Sequence, residues 1–316
     1  MAQKAAQKGP QIDYLNPKGA PAYNEPDSIQ WRIFKNQVAM AIGGVCAVLL
    51  EFADPRIRSG VWDHSVYKVD PVGRSERTGI AAMVGIYGPQ KAARQVIAGV
   101  TRMHAKVSGE TPGGRAYQAL DPELLDWVSA TAGYGFMKAY HRFVQPLSAE
   151  EQHRYWNSGE DVARLYGVQK VPHSEAEFME MMEALAPGFE AHPINEEFLE
   201  IVQSKRTGAN TPKFLKRALA RAAVDLLPPL VREKLELGPE YDLTTLDRFA
   251  VKTMGRLAER RFDPDSPPAQ ASVRLGLPAN FLWRKPAEQE LLLRQSQSLR
   301  DAGQTRAADE RQPLAA

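Results

Sequence analysis

From Val38 to Leu50 the chain runs for 13 residues without one charged or hydrogen-bonding side chain other than the Cys46 thiol. A helix drawn through this run is apolar all round, so it must be covered on most of its sides. A membrane span needs about 20 such residues, so the run predicts a buried core helix, and no transmembrane segment is expected. Two adjacent glycines, Gly43 and Gly44, interrupt it. Each weakens a helix by about 1 kcal/mol relative to alanine. Close packing of a second helix is one reason to keep them, and room for a bulky ligand is the other.

No stretch of useful length alternates with period two, and no fixed repeat is present. Elsewhere the apolar residues recur at the helical period. The fold class predicted is all-α: a single multi-helix domain of about eight to ten helices. Boundaries follow from composition. Residues 1–27 hold four prolines and few large apolar side chains and are expected to be a disordered N-terminal arm. Residues 28–262 form the helical domain. Residues 263–316, Pro-rich and then polar, are expected to be a C-terminal tail.

Helix starts are legible from caps. One helix is predicted from Asp27 or Ser28 to Phe52, ended by Asp54-Pro55. A connecting segment then holds His64 beside Asp63, read as an exposed or capping histidine. Asp70-Pro71 and Asp121-Pro122 each pair an acidic cap with proline in the first turn. Ser148 with Glu151, and Ser174 with Glu177, are capping boxes. The Ser148 helix is expected to run to about Tyr166. Lys213, Lys216, Arg217 and Arg221 make a basic face read as solvated surface.

The unusual stretch is Asp70–Gly109. At 3.6 residues per turn, Arg74, Thr78, Ala81 and Gly85 fall on one stripe of the helix that Asp70 opens, opposite the core side chains Ile80, Met83, Val84 and Tyr87. Small residues below an arginine let a flat partner approach, and the guanidinium offers a fork for a carboxylate. A helix-end ion pair over a second helix is the blander reading. Gly88-Pro89 restarts the chain, and a helix expected from Pro89 to Ser108 puts His104 on the face of Ile97, Val100 and Val107. A buried histidine with both nitrogens satisfied is the commoner reading; a metal or haem-iron ligand is the sharper one.

Other chemistries lack their signatures. The charge is near balance, 40 basic against 38 acidic residues, without the basic excess of a nucleic-acid binder. The single Cys46 excludes a disulfide framework, Fe–S clusters and cysteine-based zinc sites. There is no Walker loop, no G-x-G-x-x-G, no H-E-x-x-H and no G-x-S-x-G. One Glu-x-x-His, at Glu150 and His153, falls short of the two that a carboxylate-bridged di-iron bundle needs. The N-terminus has no apolar signal region, so a cytoplasmic protein is expected.

An ordered series of segments carries a resemblance. DPVGRSERTG at 70–79, RMHAKVSG at 102–109, YQALDPELLDWVSAT at 117–131, FVQPLS at 143–148, YW at 155–156 and LLPPLVREKLELG at 226–238 together resemble the MpaB/latex-clearing-protein (rubber oxygenase) family, over about Ser28 to Arg261. The resemblance implies an all-helical oxygenase core with a buried pocket for haem b. It implies His104 as the proximal iron ligand, with Arg74 and Thr78 on the preceding helix as catalytic and haem-binding residues. Arg77 stands where those proteins carry a lysine; arginine stays protonated, so Arg77 is expected to bond a haem propionate or a distal water. Ser129 stands where many bacterial members have histidine, and Glu51 and Asp54-Pro55 stand where the family often has Gln and His-Pro. The implied partners are dioxygen, an apolar small-molecule substrate of lipid or terpenoid type, and an electron donor. A haem carrier or sensor without turnover, and a cofactor-free helical interaction protein, are the rival functions.

Overall fold

The computed structural model describes residues 11–66, 69–204 and 211–309. It is a helical bundle: α1 (Ile29–Phe34), α2 (Gln37–Phe52), α3 (Pro55–His64), α4 (Pro71–Tyr87), α5 (Gln90–His104), α6 (Pro122–Phe143), α7 (Ala149–Trp156), α8 (Glu160–Leu165), α9 (Glu175–Leu185), α10 (Pro193–Gln203), α11 (Lys213–Asp225), α12 (Pro229–Lys234), α13 (Thr245–Arg260), α14 (Pro267–Arg274) and α15 (Pro286–Asp309). Between α5 and α6 a short antiparallel hairpin pairs β1 (Ser108–Glu110) with β2 (Ala116–Gln118), Gly109 opposite Tyr117.

The apolar run forms the heart of the bundle. Ala39, Ile42, Cys46, Leu49 and Leu50 are fully buried on α2, and α6 lies against them with Trp127, Ala130, Tyr134 and Met137. This is the most intimate helix pair among the described residues. It is close because both backbones lack side chains where they meet. A Cβ on Gly43 would sit 2.7 Å from the Gly135 carbonyl oxygen, and one on Gly135 would sit 2.5 Å from that of Gly43. Gly44 has no such neighbour; its Cβ would meet Phe136 at 3.9 Å. Gly43 therefore answers to a backbone-to-backbone contact, whereas a side chain at Gly44 would meet only the Phe136 ring at ordinary distance.

Asp70 and Asp121 cap as expected, accepting from the amides of Gly73 and Glu123. Ser148 and Glu151 form the full capping box. At Ser174 the hydroxyl accepts from the Glu177 amide, while Glu177 reaches back to the His173 amide.

Several expectations are corrected. The helix predicted from residue 28 to 52 is two helices, because Asn36 caps α2 through its Oδ1 and donates to the Gly255 carbonyl (2.9 Å) and Glu259 (2.9 Å) on α13. The stretch after Asp54-Pro55 is helix α3, with Asp54 as its cap. The helix holding His104 stops at His104 rather than Ser108, as the chain turns into β1. The helix from Ser148 ends at Trp156, where Asn157 and a left-handed Gly159 (φ 94°) restart it as α8. Lys216, placed on a solvated face, is buried and donates to the Ser204 carbonyl at 2.7 Å.

The packed unit also reaches beyond 28–262. Arg274 on α14 is buried and donates to three carbonyls: Tyr14 (2.7 Å), Ala20 (2.9 Å) and Tyr87 (2.6 Å). It pins the stretch after residue 11, with Tyr14 and Ala22 buried, against the end of α4. Leu277, Phe281 and Leu282 join the same core. Residues 1–10 and 310–316 of the expected arms lie outside the described residues.

Candidate functional site

The α4–α5 hairpin packs on itself and against α1, α8 and α14, and makes no extensive contact with α2 or α6. On α2, Ala41, Gly44, Val48 and Glu51 share one stripe that keeps partial or full accessibility. On α5, Ala93 and Ile97 are buried and Val100 and His104 are half-buried on one stripe.

Three charged or ionisable groups are coupled through Arg74. Arg74 sits one turn into α4, Glu51 one residue from the end of α2, and His104 closes α5. The Arg74 guanidinium acts on both of the others. Burial pushes His104 below the ordinary imidazole value, and the Arg74 charge adds to the shift, so the ring is neutral at neutral pH. Neutral imidazole is the form that binds metal. Burial raises Glu51 to about 7, with Arg74 and Thr131 pulling the other way. Thr131 on α6 is fully buried, with Oγ1 2.9 Å from the Val128 carbonyl and 3.4 Å from Glu51 Oε1. The hydroxyl donates towards both acceptors, and its bond to Glu51 favours the ionised carboxylate against the effect of burial.

Of the residues singled out in the sequence, Arg74 and His104 are brought together. Thr78 is exposed one turn along the same helix, and its hydroxyl donates back to the Arg74 carbonyl at 3.1 Å. Its proton is thereby committed, and its oxygen is left to accept. Arg77 pairs with Asp70 at 3.5 Å, at the start of its own helix. Ala81 is half-buried on the Arg74 stripe, whereas Gly85 is buried, with the Val162 side chain 3.1 Å from the position of a Cβ. Ser129 is half-buried on α6. His64 is exposed, 3.3 Å from the Tyr117 hydroxyl, as expected of a surface histidine.

Thr131 was not singled out in the sequence, and Glu51 was noted only as standing where the family often has Gln. A signal existed for Glu51, as the first charge after an uncharged run that the fold had to bury. Thr131 gave none, being one threonine in a long amphipathic helix.

Beneath the site a second polar layer fixes the α2–α3 corner. Arg56 donates to both oxygens of Asp54, at 2.6 Å in the shortest contact, and to Glu123 at the start of α6 (2.6 Å). Arg58 is buried, joined to the Phe52 carbonyl and to Glu190.

Among the described residues no group of three His, Cys, Asp or Glu side chains is placed to hold a metal ion unaided. No curated protein and no solved structure matches the chain. A family model described as "ER-bound oxygenase mpaB/B'/Rubber oxygenase, catalytic domain" matches residues 31–260. Those residues run from α1 to the end of α13, and they include the α2–α6 core and the Glu51–Arg74–His104 cluster. The chain belongs to the mpaB/rubber oxygenase family of oxygenase catalytic domains.

Proposed function

We propose that the protein is a haem b-dependent oxygenase acting on an apolar small molecule of lipid or terpenoid type, working in the cytoplasm, where a lone thiol such as Cys46 stays reduced. The observation that carries the reading is the half-buried His104 at the end of α5, kept neutral by burial and by the Arg74 cation of the preceding helix. The residues fit the group. A porphyrin asks the protein for one imidazole; its flat apolar body suits the small and apolar stripes of α2 (Ala41, Gly44, Val48) and α5 (Ile97, Val100); and its propionates suit an arginine such as Arg74.

When bound, haem supplies the one-electron and dioxygen chemistry, which no side chain of the chain provides. His104 would hold the iron through its neutral imidazole. Arg74 would place its positive charge beside a propionate. Thr78 presents an acceptor oxygen one turn further along. Glu51, raised to about 7 by burial, interacts with Arg74 and exchanges a proton near neutral pH. The apolar side chains around them would exclude water and take the hydrocarbon part of the substrate. An electron donor is the further proposed partner.

The test is an absorption spectrum of protein purified from haem-replete cells, before and after dithionite, followed by dioxygen consumption with candidate lipids and terpenoids. The expected result is a strong Soret band that shifts on reduction and is absent in His104→Ala, with substrate-dependent dioxygen uptake in the wild type. No Soret band after reconstitution with hemin, or full haem retention by His104→Ala, refutes the assignment.

A further inference from the structure

Helix α13 closes the bundle on the side of α2 and α11, and its outward face is unusual. Leu246, Phe249 and Leu257 are 75%, 70% and 63% exposed. They fall on one arc of the helix with Thr253, Arg256 and Arg260, all exposed as well. The arc carries no acid. Both carboxylates of α13 turn inward: Asp247 is buried and takes Arg221 of α11 at 2.8 Å, and Glu259 takes Lys35 (2.8 Å), the Tyr140 hydroxyl (3.0 Å) and Asn36. The stripe of α11 from which Arg221 reaches α13 continues through Arg217 and Phe214, both exposed, Phe214 by 57%. Lys213 is exposed beside them. Large apolar side chains interleaved with cations, on a helix pair whose own acids are consumed internally, form a surface complementary to an anionic lipid leaflet: the rings and aliphatic chains enter the acyl boundary and the guanidinium groups remain among the headgroups.

We infer that the α13 face, with Phe214 and Arg217 of α11, docks the protein peripherally on a membrane surface rich in anionic lipid. No single described helix is long and apolar enough to cross a bilayer; the α13 face would lie in the plane of the surface. The inference stands on exposure and charge alone and does not depend on haem.

The test is flotation of the full-length protein with vesicles of phosphatidylcholine alone and of phosphatidylcholine with about one-third phosphatidylserine. The wild type is expected to float with the anionic vesicles and to be released by salt. Each basic side chain near an anionic leaflet contributes about fivefold in partitioning. The R256E/R260E variant is therefore expected to bind at least about 25-fold more weakly, and L246S/F249S to lose flotation, with thermal unfolding of both unchanged because all four positions are exposed. Three results overturn the inference: no flotation with anionic vesicles, equal flotation with neutral ones, or binding retained by both variants. A dimer in light scattering that L246S/F249S converts to monomer also overturns it, since the face would then be an interface between copies.

Discussion

Replacing Gly43 with alanine tests how the bundle is held together. The new methyl would lie 2.7 Å from the Gly135 carbonyl oxygen and 2.8 Å from Gly135 C and Phe136 Cα, against ordinary contact from 3.4 Å. All three are backbone atoms, so no rotamer change relieves them. The helices must part by about 0.7 Å, and a gap of that size forfeits a quarter to a half of the attraction of each contact it opens. Such overpacking in a well-filled core costs about 1–3 kcal/mol or more. Here it falls on the principal helix pair, so the upper part of that range applies, about 3 kcal/mol. Alanine returns about 1 kcal/mol through helix propensity. The net loss is about 2 kcal/mol, or roughly 4–8 °C in melting temperature. Gly44→Ala is the internal control. Its methyl meets a Phe136 ring carbon at 3.9 Å, so the propensity gain stands alone and stability rises by about 0.5–1 kcal/mol. Paired thermal unfolding of the two variants checks both signs. If Gly43→Ala melts with or above the wild type, the backbone-to-backbone crossing of α2 and α6 is refuted.

Other outcomes follow from the polar groups. Glu51 has a folded value of about 7 against an ordinary 4.5, so its contribution to stability is full below about pH 4.5 and is lost as pH rises to about 7, where the unfolded chain ionises first. Glu51→Gln should remove that slope and be more stable than the wild type at pH 8 by about 1–3 kcal/mol, measured by denaturant unfolding at pH 5 and pH 8; equal slopes would refute the shift. Asp54→Ala leaves the buried Arg56 without its closest carboxylate and should cost about 3–5 kcal/mol, read from the denaturation midpoint. Arg274→Met removes three hydrogen bonds to the stretch after residue 11, and limited proteolysis should then cut within residues 11–27 at protease levels that leave the wild type intact. Gly44→Leu adds bulk on the half-buried stripe of α2 and should abolish haem uptake with a folded circular dichroism spectrum; normal haem loading would remove Gly44 from the proposed haem site.

Local chemistry was legible in the sequence because it acts over one turn. Asp70, Asp121 and Ser148 open helices where their side chains meet amides two or three residues on, and the uncharged run from Val38 to Leu50 announced a buried helix without any partner being known. The juxtaposition of Arg74 and His104 was legible by a different route, through the ordered series of segments and the helical period. Long-range groups left no local trace. The break at Asn36 depends on acceptors on α13, more than 200 residues away in the chain. The order of residues 11–27 depends on Arg274 of α14 and on Gln90 of α5, both far away in the chain.

The sequence by itself determined that the chain is helical, where most helices begin, which helix lies at the centre, and which family it joins, since all of these follow from periodicity, caps and motif order. Tertiary structure alone decided which of two adjacent glycines meets a backbone and which meets only a side chain at ordinary distance. It also recruited Glu51 and Thr131 to the Arg74–His104 pair, and turned the acids of α13 inward while its leucines, phenylalanine and arginines face out. The physical reason is the same in each case. A side chain's environment is set by elements distant in sequence, and burial, charge pairing and contact distance exist only after those elements have met.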